Sequence, residues 1–254
     1  MYRGGIVLKT TEQLDAMDRA GQIHARCLKM LAANCRPGVT TAELDETAER
    51  FIRSQGATPT FKGYRGFPGS ICASPNAMVV HGIPDDTALE RGDVLSIDVG
   101  VTKDGWVADG AITVPIGEVS PDDRRLLATT EASLHAAVEQ MRPGNHLSDV
   151  SHAVQTTVES DGFEVIRALV GHGIGRDMHE DPQVPNFGPA GRGPELEPGM
   201  VLAIEPMTAI GTHQIVSGDD GWAVYSADGS MTAHFEFTVA VTEDEPRIIT
   251  PWHL

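Results

Sequence analysis

Positive charge, aromatic side chains and cysteine are all scarce in this sequence. Lysine and arginine number 19 against 36 aspartates and glutamates, which leaves a formal net charge of −17. A surface of that sign repels phosphate backbones and anionic lipid, so nucleic acid and membranes are excluded as main partners, and tight intrinsic binding to ribosomal RNA with them. The three cysteines (Cys27, Cys35, Cys72) are odd in number and form no CxxC pair. They read as reduced thiols in a reducing compartment. No stretch approaches the ~18 uninterrupted apolar residues of a membrane span. The opening MYRGGIVLKTTEQLD lacks the apolar block of a signal peptide, so a cytoplasmic location is expected. What is present is a 41% apolar fraction over 254 residues, ample for a buried core and incompatible with an intrinsically disordered chain. No linker rich in proline, glycine or serine divides the chain, and one compact domain over residues 1–254 is expected.

The chain repeats itself once. Arg36-Pro37-Gly38 recurs as Arg142-Pro143-Gly144, and at the same offset of 106 Gln55-Gly56 falls on Asp161-Gly162. Between these landmarks Leu44, Ala48 and Ile52 fall on Val150, Val154 and Val158, spaced by four like the buried stripe of a helix. A helical stretch precedes each turn, with Leu14, Met17, Gly21, Leu28 and Leu31 in the first and Leu134, Ala137 and Met141 in the second. Thr10 and Gln13 form a capping-box signature at the first start. Each half therefore reads helix, turn, helix, glycine stop, strands, over residues 10–125 and 126–250. Functional groups are expected between such halves.

Carboxylates interrupt the apolar strands. In residues 94–114, VLSIDVGVTKDGWVADGAITV, the Asp104-Gly105 pair between two β-rich runs signals a two-residue hairpin. That turn pairs Lys103 with Trp106, Asp109 with Gly100 and Asp98 with Ala111. The two aspartates then become diagonal neighbours on one face, ~7–8 Å apart at the backbone. An odd loop length would send them to opposite faces, and a solvated sheet face would need no partner for them. Glu205 in GMVLAIEPM and Glu236 in MTAHFEFTVAV sit in equally apolar runs, where a glutamate is almost never buried unpartnered. His172 and His179 lie in the glycine-rich stretch 168–182, ALVGHGIGRDMHEDP. This stretch lacks the GxGxxG spacing of a dinucleotide loop, and His179-Glu180 is no HExxH because residue 183 is Gln. Four carboxylates and one imidazole suit a pair of divalent metals bridged by carboxylates, with oxygen-rich ligands favouring Mn, Fe or Co over a thiolate-type zinc site. The residues alone thus lead to a dinuclear metallohydrolase.

YRGFPGSIC (64–72), SPNAMVVHGIP (74–84), SIDVGVTKDGWVADG, GHGIGRDMHEDPQVP, GMVLAIEPM and HFEFTVAVT, in this order and spacing, resemble a type I methionine aminopeptidase over most of residues 10–245. The fold this implies is the α+β pita-bread fold, two pseudo-symmetric helix-helix-strand halves around a curved antiparallel sheet. The resemblance implies Asp98, Asp109, His172, Glu205 and Glu236 as ligands of two divalent ions (Mn, Fe, Co or Zn), Asp98 chelating one ion, Asp109 and Glu236 bridging, and His172 and Glu205 completing the other. It also implies that Glu205 shuttles a proton, that His81 contacts the substrate backbone near the scissile nitrogen, and that His179 hydrogen-bonds the scissile carbonyl. The side-chain pocket for methionine maps onto Tyr64, Phe67, Cys72, Met178 and Trp222, an aromatic and sulfur lining that suits a thioether. Expected partners are N-termini of nascent polypeptides with a small second residue, with transient ribosome association and a monomeric enzyme.

The chain also departs from that pattern. Gly110 and Ala111 follow Asp109 where the family usually has Ser or Thr. The family tends to read AQFEHT where this chain reads AHFEFT, so His234 replaces an amide and Phe237 a histidine. Phe61 and Met178 are further pocket variations. No extension domain is expected before residue 10. The competing readings are another pita-bread hydrolase, such as an Xaa-Pro aminopeptidase, and a non-catalytic binding module of the same fold.

Overall fold

Capping chemistry sets the helix starts. In the computed structural model, which describes residues 2–3 and 5–254, α1 (Thr11–Asn34) begins after Thr10. The Thr10 side chain accepts from the Gln13 N–H while Gln13 returns to the Thr10 N–H. Thr40 with Glu43 opens α2 (Thr41–Ser54), and Ser120 with Asp123 opens α3 (Pro121–Val138), with proline at the first position. In α4 (Leu147–Ser160), Asp149 accepts the His146 N–H. The stripes Leu44, Ala48, Ile52 and Val150, Val154, Val158 are buried in one core.

The two halves keep the offset of 106 through α2 and α4 and the short strands Thr58–Pro59 and Glu164–Val165. Between them Gly56 and Gly162 both adopt positive φ, 64° and 82°, which ends each helix as the sequence expects. Beyond this point the offset becomes 107. The backbone bond from Leu89 N–H to Val39 is mirrored by one from Leu196 N–H to Asn145. At the new offset Asp98 falls on Glu205, whereas a strict 106 would place it on Ile204.

Every ladder is antiparallel. The central hairpin runs Val94–Lys103 and Trp106–Pro115 in the expected register, Asp98 opposite Ala111 and Gly100 opposite Asp109. Its turn residues Asp104 and Gly105 have φ of 52° and 74°, the two positive values a type I′ turn demands. Strand Cys72–Pro75 adds to one edge, with Cys72 opposite Asp98. In the second half, Val201–Ile204 is flanked by Val170–Gly173 and Phe237–Ala240. The halves meet where Glu236 and Ala111 exchange backbone hydrogen bonds of 2.9 and 3.4 Å. Helix α1 packs across the hairpin, while α3 packs on α4.

Candidate active site

Strand register places the chemistry on two adjacent rungs of one continuous face, because cross-strand partners share a face and alternate residues return to it. The first rung runs Cys72, Asp98, Ala111, Glu236. One step past the Ile204–Phe237 pair it reaches Glu205. The second runs Gly100, Asp109, then Thr238, Ala203 and His172. Thr238 ties the seam at this rung: its hydroxyl accepts the Asp109 N–H at 3.1 Å and donates to the Asp109 carbonyl at 2.8 Å. Small residues (Gly100, Ala111, Ala203) separate the carboxylates and leave the space between them open. Two of the acids stand outside regular strands. Glu205 follows Ile204 and precedes Pro206, and Glu236 lies between Thr232–His234 and Phe237–Ala240, its backbone taken by Ala111 and by the Trp252 indole N–H at 2.8 Å.

Loops bring the remaining histidines over this face. His81 follows strand Met78–Val80 in a left-handed conformation, φ 62°, a strained state for a non-glycine residue. Gly82 permits the turn, since a Cβ there would lie 2.1 Å from the Ala73 carbonyl. His179 sits in the loop after Gly175, which Glu180 braces. The Glu180 carboxylate accepts from Arg176 N–H and Asp177 N–H and pairs with buried Lys9 at 2.6 Å. The His179 ring lies 4.3 Å from the His172 ring, and its Nδ1 is 2.8 Å from the Tyr64 hydroxyl.

All twelve residues that the sequence nominates line a single cavity of about 160 Å³. Asp98, Asp109, His172, Glu205 and Glu236 form its acidic floor, with His172 Nε2 at 3.8 Å from Asp109 Oδ2 and 3.7 Å from Glu205 Oε1. One donor atom each from Asp109, His172 and Glu236 lie within 4.8 Å of one another. Above the floor, Tyr64, Phe67, Cys72, Met178 and Trp222 form an apolar wall with Phe61, and the Phe67 and Trp222 rings meet edge to face at 5.1 Å. Sequence reasoning missed Arg65, whose guanidinium lies 5.3 Å from the Tyr64 ring centroid at the cavity mouth. It also missed the supports beneath the floor: Thr238, Trp252 and His24. The only signal for Arg65 was its place inside YRGF, and its φ of 49° leaves no trace in sequence.

Burial together raises the pKa of all four acids. Asp98 is pushed up to about 7 by desolvation. Asp109, Glu205 and Glu236 are raised well above the usual range, first by desolvation and then by one another's charge. The imidazoles move the opposite way. Desolvation lowers His172 and His81 and takes His179 down to about 4, with His172, Arg65 and His81 adding repulsion at His179. The Cys72 thiol is raised by burial, then by Asp98 and Asp109, and stays protonated. Asp98 Oδ1, Glu236 Oε1 and His234 Nε2 are buried without a hydrogen-bond partner. With its Nδ1 on the Gly173 carbonyl, His172 turns the Nε2 lone pair toward the acids, and carboxylates add further lone pairs once ionised. A divalent cation therefore fits this donor set, would hold the acids ionised and would satisfy the orphaned atoms.

Comparison with known proteins shows which family the chain belongs to. The chain is 49% identical over 245 residues to methionine aminopeptidase 1 of Bacillus subtilis, covering 96% of this chain and 99% of that one. A methionine aminopeptidase structure from Thermotoga maritima superposes with a TM-score of 0.95 at 41% identity, covering 96% and 99%. A prolidase from Pyrococcus furiosus shares the fold alone, with a TM-score of 0.78 at 22% identity over 96% of this chain and 65% of that one. These neighbours have the pita-bread fold, the α+β architecture that the resemblance implies and the repeat is consistent with. The family model for Metallopeptidase family M24 matches residues 15–243, a span that takes in every acid and histidine of the cavity floor, and the chain belongs to that family of hydrolases.

Proposed function

We propose that the protein removes the N-terminal methionine from polypeptides whose second residue is small, using two divalent metal ions (Mn, Fe, Co or Zn) held by Asp98, Asp109, His172, Glu205 and Glu236. The observation that carries this reading is the contact between an acidic floor and an apolar, sulfur-bearing wall within one cavity of about 160 Å³. Such a volume holds one medium side chain, since an engineered cavity of about 150 Å³ holds one benzene. Cys72, Met178 and the aromatic rings offer the polarizable surface that a thioether prefers. The acids below attract a free α-ammonium group, which suits an exopeptidase acting at an N-terminus.

Bound divalent ions would bring the pKa of a water near neutrality and polarise the scissile carbonyl. The protein's own groups do the rest. Glu205, its carboxyl pKa raised by burial and by Asp109 and Asp98, takes a proton from the attacking water and returns it to the leaving amine. His179 is neutral at pH 7. The Tyr64 hydroxyl lies 2.8 Å from Nδ1. In the tautomer where it donates to Nδ1, the single ring proton sits on Nε2 and can be hydrogen-bonded to the carbonyl oxygen as charge develops there. His81 holds the substrate backbone near the scissile nitrogen. The apolar wall excludes water from the methionine side chain. The same reading puts the reaction in the cytoplasm on nascent chains, with transient access at the ribosome.

The test is hydrolysis of Met-Ala-Ser by metal-stripped protein, with Mn, Fe, Co and Zn added back separately and Ala-Pro as the comparison substrate. We expect at least one metal to restore Met-Ala-Ser cleavage, Ala-Pro to remain intact, and Asp109→Asn to lower kcat by more than about 100-fold. Folded protein that stays silent with every metal, or that prefers Ala-Pro, overturns the reading.

A further inference from the structure

We infer that His234 is a metal-ligating residue, its Nε2 joining the Glu205 and Glu236 carboxylates and giving the centre one more nitrogen donor than the resemblance implies. The inference rests on the proposed divalent metal centre. His234 is 2% exposed and its backbone is clamped. Its N–H donates to Thr113 Oγ1 at 2.8 Å, and the Thr113 hydroxyl donates back to its carbonyl at 2.9 Å. Met207 pairs with it across the next strand. So held, the ring places Nε2 3.9 Å from Glu205 Oε2 and 3.8 Å from Glu236 Oε2, with no hydrogen-bond partner.

These separations are too long for hydrogen bonds, and an unpartnered buried nitrogen is costly. They are close to the spacing of two atoms that share an ion. Donors bound at about 2.0–2.2 Å stand roughly 3–3.6 Å apart at octahedral to tetrahedral angles. His172 shows the same spacing to its acids, 3.8 Å to Asp109 Oδ2 and 3.7 Å to Glu205 Oε1. Glu205 thus turns one carboxylate oxygen to each imidazole, Oε1 to His172 and Oε2 to His234. The amide that usually precedes this FE pair offers only a weak oxygen donor. An imidazole at this position adds nitrogen, which favours Co and Zn over Mn.

The test compares wild type with His234→Gln by titration calorimetry of Mn, Co and Zn in the presence of a competing chelator. It adds the visible spectrum of the Co(II)-loaded proteins, and histidine nitrogen NMR of the Zn-loaded wild type. We expect the substitution to weaken Co and Zn by at least about tenfold, to leave Mn nearly unchanged, and to alter the Co(II) spectrum. In wild type, Zn should shift the Nε2 resonances of two histidines. Equal affinities and superimposable spectra, or a Zn-induced shift of His172 alone, overturn the assignment of His234 while leaving the metal centre standing. Wild type that binds no divalent ion removes the centre itself. The NMR arm needs no variant, so it decides the question even if His234→Gln folds poorly.

Discussion

The hydroxyl of Tyr64 does something its ring does not. It lies 2.8 Å from His179 Nδ1, while the two rings stack at 5.5 Å. Tyr64→Phe keeps the stacking and the apolar wall and removes only the hydroxyl, which as donor to Nδ1 would hold the His179 proton on Nε2. The expected result is a kcat on Met-Ala-Ser lowered by about tenfold, a KM changed by less than about twofold, and stability altered by less than about 0.5 kcal/mol. Steady-state kinetics beside thermal unfolding reads all three, and an unchanged kcat would show that the tautomer is set elsewhere. At this scale the sequence announced residue types well. Acids in apolar strands and histidines among glycines are costly choices, and cost marks a site. Interactions between side chains were not legible: Tyr64 read as pocket wall, and neither its bond to His179 nor the neighbouring Arg65 has a sequence signature.

Between elements, legibility depended on local rules. The register of residues 94–115 followed from Asp104-Gly105 because a two-residue primed turn is the one that pair favours, and that register put Asp98 and Asp109 on one face. The pseudo-symmetric match of Asp98 to Glu205 was hidden by the one-residue change of offset after the first strand of the repeat. Contacts across the fold were equally silent. Gly110, which stands where Ser or Thr is usual, reads as a lost hydroxyl. In the structure it makes room for the fully buried His24 of α1, whose Nε2 lies 3.0 Å from the Gly110 carbonyl. A Cβ at Gly110 would lie 2.7 Å from His24 Cε1 and 3.1 Å from the Glu236 carbonyl. Gly110→Ser is therefore expected to destabilise the protein by about 1–3 kcal/mol through overpacking. It should also weaken metal binding, since the Gly110 N–H donates to Asp109 Oδ1 at 3.0 Å. Adding His24→Ala should recover part of the loss, with a coupling of at least about 0.5 kcal/mol between the two changes. Unfolding curves for the four proteins of the cycle measure it, and simple additivity would mean that His24 and residue 110 do not compete for the same space.

Across the whole molecule, the buried acids tie stability to pH. Asp98 rises from 3.8 to about 7 on folding, and Asp109, Glu205 and Glu236 rise well above their usual values. A carboxyl whose folded pKa exceeds its unfolded one contributes stability below the unfolded value, and loses it as pH climbs through the folded one. Buried imidazoles oppose this on the acid side: His24 and His179 drop from 6.5 to about 4 and His234 to about 3. Their contribution is complete above 6.5 and is lost as pH falls towards those values. The unfolded histidines finish losing their protons about one unit above 6.5, so from pH 7.5 to 8.5 they add almost no slope and the acids set it. Metal-free protein is expected to lose at least about 1.4 kcal/mol across that window, since each proton released on unfolding tilts stability by about 1.4 kcal/mol per pH unit. A bound divalent ion holds the acids ionised and competes better with protons as pH rises. At about 100 times its Kd it would stabilise the fold by about 2.7 kcal/mol, and the downward slope should vanish or reverse. Thermal unfolding at pH 7.5, 8.0 and 8.5, with chelator and then with the metal that supports hydrolysis, checks both halves of this expectation. A metal-free stability that is flat or rising over that interval would mean that the four acids do not share one dry cavity in solution.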